Sequence, residues 1–159
     1  MKLTKFVFAA VLMISVAASF TSCNKDEDKG PNYIYSPAIE TEIIRLVNLH
    51  RDSLGLGPLT VNSIISAECK QHSEDQARTS SMNHDGFSDR ASRIFANFGG
   101  TNAGENVAYG QTSAQQVVTA WLNSPGHRAN IEGDFNYTGI SVVRIDNGPN
   151  YFTHIFVKK

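Results

Sequence analysis

The hydrophobic pattern of this chain changes period once, and that change limits its fold more than any other feature. Ser36-Pro37 supplies an N-cap and a proline at the first helical position, and Ile39, Ile43, Leu46 and Val47 follow at helical spacing. The spacing predicts a helix over Pro37 to Leu54, ended by Gly55, Gly57 and Pro58. Ile64, Ile65, Ala67 and Cys69 predict a second helix from Asn62 to Thr79; Ile94, Phe95 and Phe98 predict a short third from Asp89 to Phe98, stopped by Gly99 and Gly100. Val117, Val118 and Trp121 share one side of a fourth, from Ala114 to Leu122, opening after Thr112-Ser113. After that the pattern is no longer helical. Tyr137 to Ile145 and Tyr151 to Val157 are rich in β-branched and aromatic residues, and Asp146-Asn147-Gly148-Pro149-Asn150 between them is turn chemistry, so they read as adjacent antiparallel strands. Val107 to Tyr109 adds a short third strand. Helices first and strands last, on short connections, predict an α+β layered domain.

The beginning of the chain follows different rules. Lys2 and Lys5 precede an uncharged apolar stretch from Phe6 to Phe20 and then Phe20-Thr21-Ser22-Cys23, the layout of a secretory leader. Small residues directly before Cys23 and a polar run directly after it resemble the lipobox of bacterial lipoproteins, where cleavage precedes an acylated cysteine. The expected organisation is a signal peptide over 1–22, a lipidated Cys23 with a flexible tether over 23–36, and one folded domain over 37–159. Asp26-Glu27-Asp28 resembles the signal that sends some lipoproteins to the outer surface, so the expected location is secreted and lipid-anchored, at a bacterial outer membrane or cell surface. With Cys23 lipidated, Cys69 stands alone and reads as a buried, unreactive thiol. A net charge of −1 is no footprint for nucleic acid.

Three short stretches carry chemistry: His84 in Asn83-His84-Asp85-Gly86, Glu105 in Gly104-Glu105-Asn106-Val107-Ala108, and His127 in Ser124-Pro125-Gly126-His127-Arg128. All three are expected on loops or element ends, where two imidazoles and a carboxylate can share one cleft. Ser124-Pro125-Gly126 reads as a helix stop that turns the chain and so positions His127. Trp121 reads as core, its indole N–H needing one partner. His50 and His72 read as packing or surface residues of their helices.

These stretches, with Asn48, Arg51, Leu59, Ala67, His72, Tyr109-Gly110, Ala129-Asn130-Ile131, Thr138-Gly139-Ile140 and Tyr151-Phe152-Thr153, resemble the bacterial branch of the CAP superfamily. This is the family of cysteine-rich secretory, antigen 5 and pathogenesis-related proteins, also called SCP-like extracellular proteins. The resemblance covers about Ala38 to Phe156. It implies an α-β-α sandwich, with a small antiparallel sheet between helical layers, and a cleft built on His84, Glu105 and His127 that in some members binds a divalent metal, usually taken to be zinc. Asn106, Trp121, Ser124 and Arg128 would support it. The family's second acid is missing, because Asn123-Ser124 follows where it would lie. His154 stands where bacterial members often have glutamine, so an additional imidazole is a candidate for the cleft, although an exposed strand position is its default.

The residues leave the chemistry open. Two imidazoles make only a weak, open site for Zn2+ or another divalent cation, with Glu105 either a third ligand or an acceptor that fixes one imidazole's tautomer. The alternative to a metal is a hydrogen-bonded network holding loops together. One functional reading is a ligand-binding or interaction module for envelope glycan, lipid or protein. The other is a metal-assisted hydrolase of peptidase or esterase type with Glu105 as general base, although the chain lacks both the two-histidine zinc-protease helix and the Gly-x-Ser-x-Gly turn.

Overall fold

The structure is a computed structural model and describes residues 30–159. The leader and the Cys23 lipidation site lie outside the described residues. Among the described residues five helices form, α1 (Pro37–Ser53), α2 (Ser63–Thr79), α3 (Phe87–Asn97), α4 (Ala114–Asn123) and α5 (Pro125–Glu132). They alternate in part with five strands, β1 (Tyr33–Tyr35), β2 (Thr60–Val61), β3 (Asn102–Tyr109), β4 (Tyr137–Ile145) and β5 (Tyr151–Lys158). The sheet runs β1-β4-β5-β3 with antiparallel neighbours, and the short β2 pairs in parallel with β4.

Local chemistry starts α2 and α4 as expected, whereas Ser36 precedes α1 without a side-chain cap bond. The Asn62 side chain accepts from the backbone N–H groups of Ile64 and Ile65 to open α2, and Ser113 accepts from Gln116 N–H to open α4. Strand alternation then sorts the core onto the two faces of the sheet. Phe152 and Phe156 of β5, with Ile140 and Val142 of β4, pack against Ile43 and Val47 of α1, Val117, Val118 and Trp121 of α4, and Ile131 of α5. On the opposite face Ile155 and Val157 meet Ile65 and Cys69 of α2 and Ile94 of α3. The result is an α-β-α sandwich, with α2 and α3 on one side and α1, α4 and α5 on the other. Gly139 lets α2 approach closely, since a Cβ there would collide with the Ile65-Ser66 backbone. Cys69 is buried, donates its S–H to Gly139 O at 3.2 Å, and burial raises its pKa, as an inert thiol should.

Two residues that carried the family resemblance hold the loops of this scaffold. Asn48 grips Leu59 from both sides, Nδ2 donating to Leu59 O at 3.1 Å and Oδ1 accepting from Leu59 N–H at 2.8 Å. Arg51 is buried without a carboxylate and donates to four carbonyls, those of Gly57, Ile131, Gly133 and Phe135, at 2.7 to 3.0 Å. One planar guanidinium thus pins two loops and the end of α5.

Three sequence expectations need correction. Tyr33–Tyr35 is not the end of a tether: it pairs with Val143 to Ile145 as β1. The strand expected over Val107 to Tyr109 begins at Asn102, because pairing with β5 along its whole length outweighs the weak β-propensity of its asparagines and glycine. Ser124-Pro125-Gly126 ends α4 but also starts α5, with Pro125 at the first helical position.

Candidate functional site

The candidate site is built around the outer strand of the sheet. β3 lies at one end of the strand order, with β5 its only neighbour among the described residues, and Glu105 and Asn106 sit at its middle. Successive strand residues point to opposite faces, so Glu105 turns toward α3 while Asn106 turns toward α5.

Glu105 is almost completely enclosed, its side chain 1% exposed, and a buried carboxylate must be paired. Arg90 of α3 does this in fork geometry: Nε donates to Oε2 at 3.0 Å, and Nη2 donates to Oε2 at 2.7 Å and to Oε1 at 2.9 Å. Arg90 Nη1 donates to Asp85 O at 2.6 Å, so the same guanidinium also holds the loop before α3. That loop carries His84, whose Nδ1 lies 2.8 Å from Glu105 Oε1. Because an ion-paired carboxylate accepts, Nδ1 carries the hydrogen. Nε2 has no protein partner among the described residues, on a side chain that is 51% exposed.

On the other face Asn106 Nδ2 donates to His127 O at 3.0 Å, and Asn130 Nδ2 donates to Asn106 Oδ1 at 2.8 Å and to Glu105 O at 3.1 Å. These bonds hold the first turn of α5 against β3. His127 is part-buried in the first turn of α5, an element end as expected, whereas Glu105 is in the middle of a strand and not at the loop or element end expected for it. Burial first, and the neighbouring His84 second, lower the His127 pKa, which keeps its ring neutral. The two histidines are held from opposite faces of β3, near enough for His84 to lower the His127 pKa. This brings together His84, Glu105 and His127, with Glu105 as the group that orients His84.

The other candidates fall elsewhere. Trp121 is core, donating Nε1–H to Val107 O at 3.1 Å. Ser124 caps α5 with its backbone, and Arg128 Nε donates to Leu122 O across the α4–α5 elbow, so both support the elbow and not the cleft. His154 is not an exposed strand residue. It is 0% exposed, lies opposite Asn106 in the β3–β5 register, and has its ring 5.6 Å from Trp121 and 4.2 Å from Phe156. Neither of its nitrogens has a partner, and burial drops its pKa to about 3, so it is a neutral core group and no member of the cleft. His50 pairs with Glu132 at the surface, and His72 is buried with Nε2 on Asn83 O.

Arg90 is the residue that sequence reasoning missed. Its one signal was position: it is buried beside Ala91 and Ile94 on the inner face of α3, where an arginine requires a partner. Among the described residues no group of three or more His, Cys, Asp or Glu side chains is arranged to hold a metal ion. The donor set that remains for a cation is His84 Nε2 and the His127 ring, since the Glu105 oxygens are already engaged. Two imidazoles fit an open site completed by solvent or ligand, and not a closed structural site.

An α-β-α sandwich with a histidine pair astride an outer strand, oriented by a buried glutamate, defines the class of extracellular-type CAP folds. The sequence agrees: residues 44–157 match CAP, the Cysteine-rich secretory protein family, and the chain belongs to it. It is similar to YkwD of Bacillus subtilis, 33% identical over 125 residues, which is 77% of this chain and 48% of that protein. It is also similar to the membrane protein YlbC of the same organism, 31% identical over 126 residues, covering 76% of this chain and 34% of that one. The chain thus spans half or less of these relatives. An extracellular SCP-domain protein of Bacillus anthracis has a similar structure, with a TM-score of 0.67 and 26% identity over 77% of this chain and 41% of that one. An outer surface protein of Borrelia burgdorferi shares the fold at a TM-score of 0.74 and 20% identity, covering 82% of this chain and 99% of that one.

Proposed function

We propose that this is a lipid-anchored protein of the cell envelope whose CAP domain works as a ligand-binding module, with the His84 and His127 imidazoles as its contact groups. The observation that carries this reading is the Arg90–Glu105–His84 chain. A buried ion pair is expensive to build, and here it fixes the tautomer and direction of one half-exposed ring whose Nε2 is left without a protein partner. Positioning of that kind suits recognition of a polar or amphipathic ligand, such as an envelope glycan, lipid or protein. Similarity to an extracellular SCP-domain protein supports a location outside the cytoplasm. Cys23 is the proposed site of the anchor.

His84 and His127 are the residues that would hold a divalent cation such as Zn2+. A bound cation would supply a Lewis-acid anchor for a ligand oxygen. Against the hydrolase reading stands the occupancy of Glu105: both oxygens accept from Arg90 and one also from His84, so no lone pair is held ready for a substrate proton.

The test is calorimetric titration of the full-length chain with zinc and with envelope glycan and lipid fragments, beside His84→Ala and His127→Ala. Binding that is lost in both variants, with folding intact, supports the module. Binding unaffected by either variant refutes it. Fatty-acid labelling of wild type and Cys23→Ala tests the anchor, label being expected only in the wild type.

A further inference from the structure

A polar cleft lies between α2, α3 and the loop that joins them. It encloses about 330 Å³, and neither His84 nor His127 lines it. Small-molecule sites begin at about 300 Å³, so this space suits a ligand of one sugar ring.

Its inner wall is a row of α2 residues, His72, Asp75, Gln76 and Thr79, at helical spacing. Gln76 is 1% exposed. Its Nε2 donates to Thr153 Oγ1 at 3.0 Å, but its Oε1 is buried with no partner. Gln76 lines the cleft, and its orphaned acceptor is left for a donor that the described residues do not supply. His72 adds to the demand. Its Nε2 lies 2.9 Å from Asn83 O, which can only accept, so Nε2 carries the hydrogen; burial lowers its pKa, and the neutral ring keeps an acceptor at Nδ1.

The charges at the rim point the same way. Both arginines of the cleft are already committed, Arg90 to Glu105 and Asp85 O, and Arg93 to Glu68 in two-pronged geometry at 2.6 to 3.1 Å. Asp75 is shared with Arg78 at 2.7 Å, whereas Asp85 and Asp89 have no salt bridge among the described residues. The surplus in the cleft is therefore acceptors and negative charge. No set of three carboxylates or imidazoles is arranged to chelate a metal ion among the described residues, so the geometry suits a donor-rich organic cation better than an inorganic one.

We propose that the α2–α3 cleft binds a small molecule through a primary ammonium group, which offers three donors and no acceptor to Gln76 Oε1 and the Asp85 and Asp89 rim. Amino sugars and short diamines share this chemistry and this size. Neither imidazole of the pair lines this site.

The experiment is NMR titration of the full-length chain at low ionic strength with glucosamine, N-acetylglucosamine and 1,4-diaminobutane. Glucosamine, the diamine, or both are expected to shift α2 and α3 resonances saturably, and N-acetylglucosamine is not. Which of the two ammonium probes binds more tightly identifies the source. The exposed-rim variant Asp85→Asn/Asp89→Asn is expected to weaken binding about tenfold or more without changing the fold. Gln76→Leu, checked for folding by its amide spectrum, is expected to abolish it. Equal binding of the acetylated sugar, no saturable shift with either ammonium, unchanged affinity in the rim variant, or a structure with only an ordered water on Gln76 Oε1 at saturating probe would each overturn the proposal.

Discussion

His84 and His154 both meet the Glu105-Asn106 segment of β3, and the two imidazoles are in opposite states. His84 is half exposed and bonded to a carboxylate, whereas His154, across the strand from Asn106, is enclosed by Trp121 and Phe156 with both nitrogens unpartnered. The same side chain is a directed contact group where solvent and a carboxylate reach it, and a neutral core residue where neither does. What separates the two is the face of the sheet each meets and the layer packed on that face.

Breaking the paired side should have the largest effect. Glu105→Ala leaves Arg90 charged and buried with no counter-ion, and is expected to cost about 3–5 kcal/mol in denaturant unfolding. Replacing both, as Arg90→Met with Glu105→Leu, should recover most of that loss while releasing His84. A Glu105→Ala protein as stable as wild type would show that the pair carries no structural weight. Next comes Asn106→Ala, which strips partners from His127 O and Asn130 Nδ2 and should cost about 1–3 kcal/mol, with loss of order in α5 seen by amide exchange.

The unpaired side makes a prediction about pH. His154 falls from 6.5 to about 3 in the folded state, so as pH drops below 6.5 the unfolded chain takes up a proton that the native protein refuses. Stability from this group is complete above about 6.5 and is lost on the way down to about 3, with a slope approaching ~1.4 kcal/mol per pH unit. His154→Leu should be neutral or stabilising by about 1 kcal/mol at neutral pH and should flatten this slope, any residue belonging to His72 and His127, which burial also lowers. An unchanged slope would mean that His154 titrates normally. The smallest effect is expected for His84→Ala: the ring is half exposed and the buried Glu105 keeps Arg90 as its partner, so its removal should cost less than about 1 kcal/mol in thermal or denaturant unfolding while eliminating ligand binding at the β3 edge.

Much of the fold was legible because the burial of each element follows a simple period. α1, α2, α4, β4 and β5 have the starts and ends that their caps, turns and alternation predict. α5 was hidden because Ser124-Pro125-Gly126 reads equally as a stop and as a start, and only the packing of Ile131 beneath it decides between them. β1 was hidden because three residues of polar company carry too little pattern to register; a partner over a hundred residues away makes them a strand.

The candidate site was legible as a trio of positions and illegible as chemistry. His84, Glu105 and His127 do gather around one strand edge, yet Arg90, which determines what Glu105 can do, has no marker beyond being an arginine on a buried face. His154 was misplaced for the complementary reason. Alternation correctly put it with Phe152 and Phe156, but a polar residue in that row reads as solvent-facing until a second helical layer is known to cover it.

By itself the sequence determined the α+β class, the helices and strands whose hydrophobic period is strong, and the family, and it named His84, Glu105 and His127 as candidates. It could do so because those features depend on neighbours within a few positions or on short motifs. The tertiary structure alone decided that Glu105 is an orienting group, that His154 is core, and that Gln76 presents an unpartnered oxygen beside a second cleft. Each of these depends on what lies opposite a side chain across the sheet or between helices, and the cost of burying a charge or a polar atom is set by that partner and not by the residue's own neighbours in the chain.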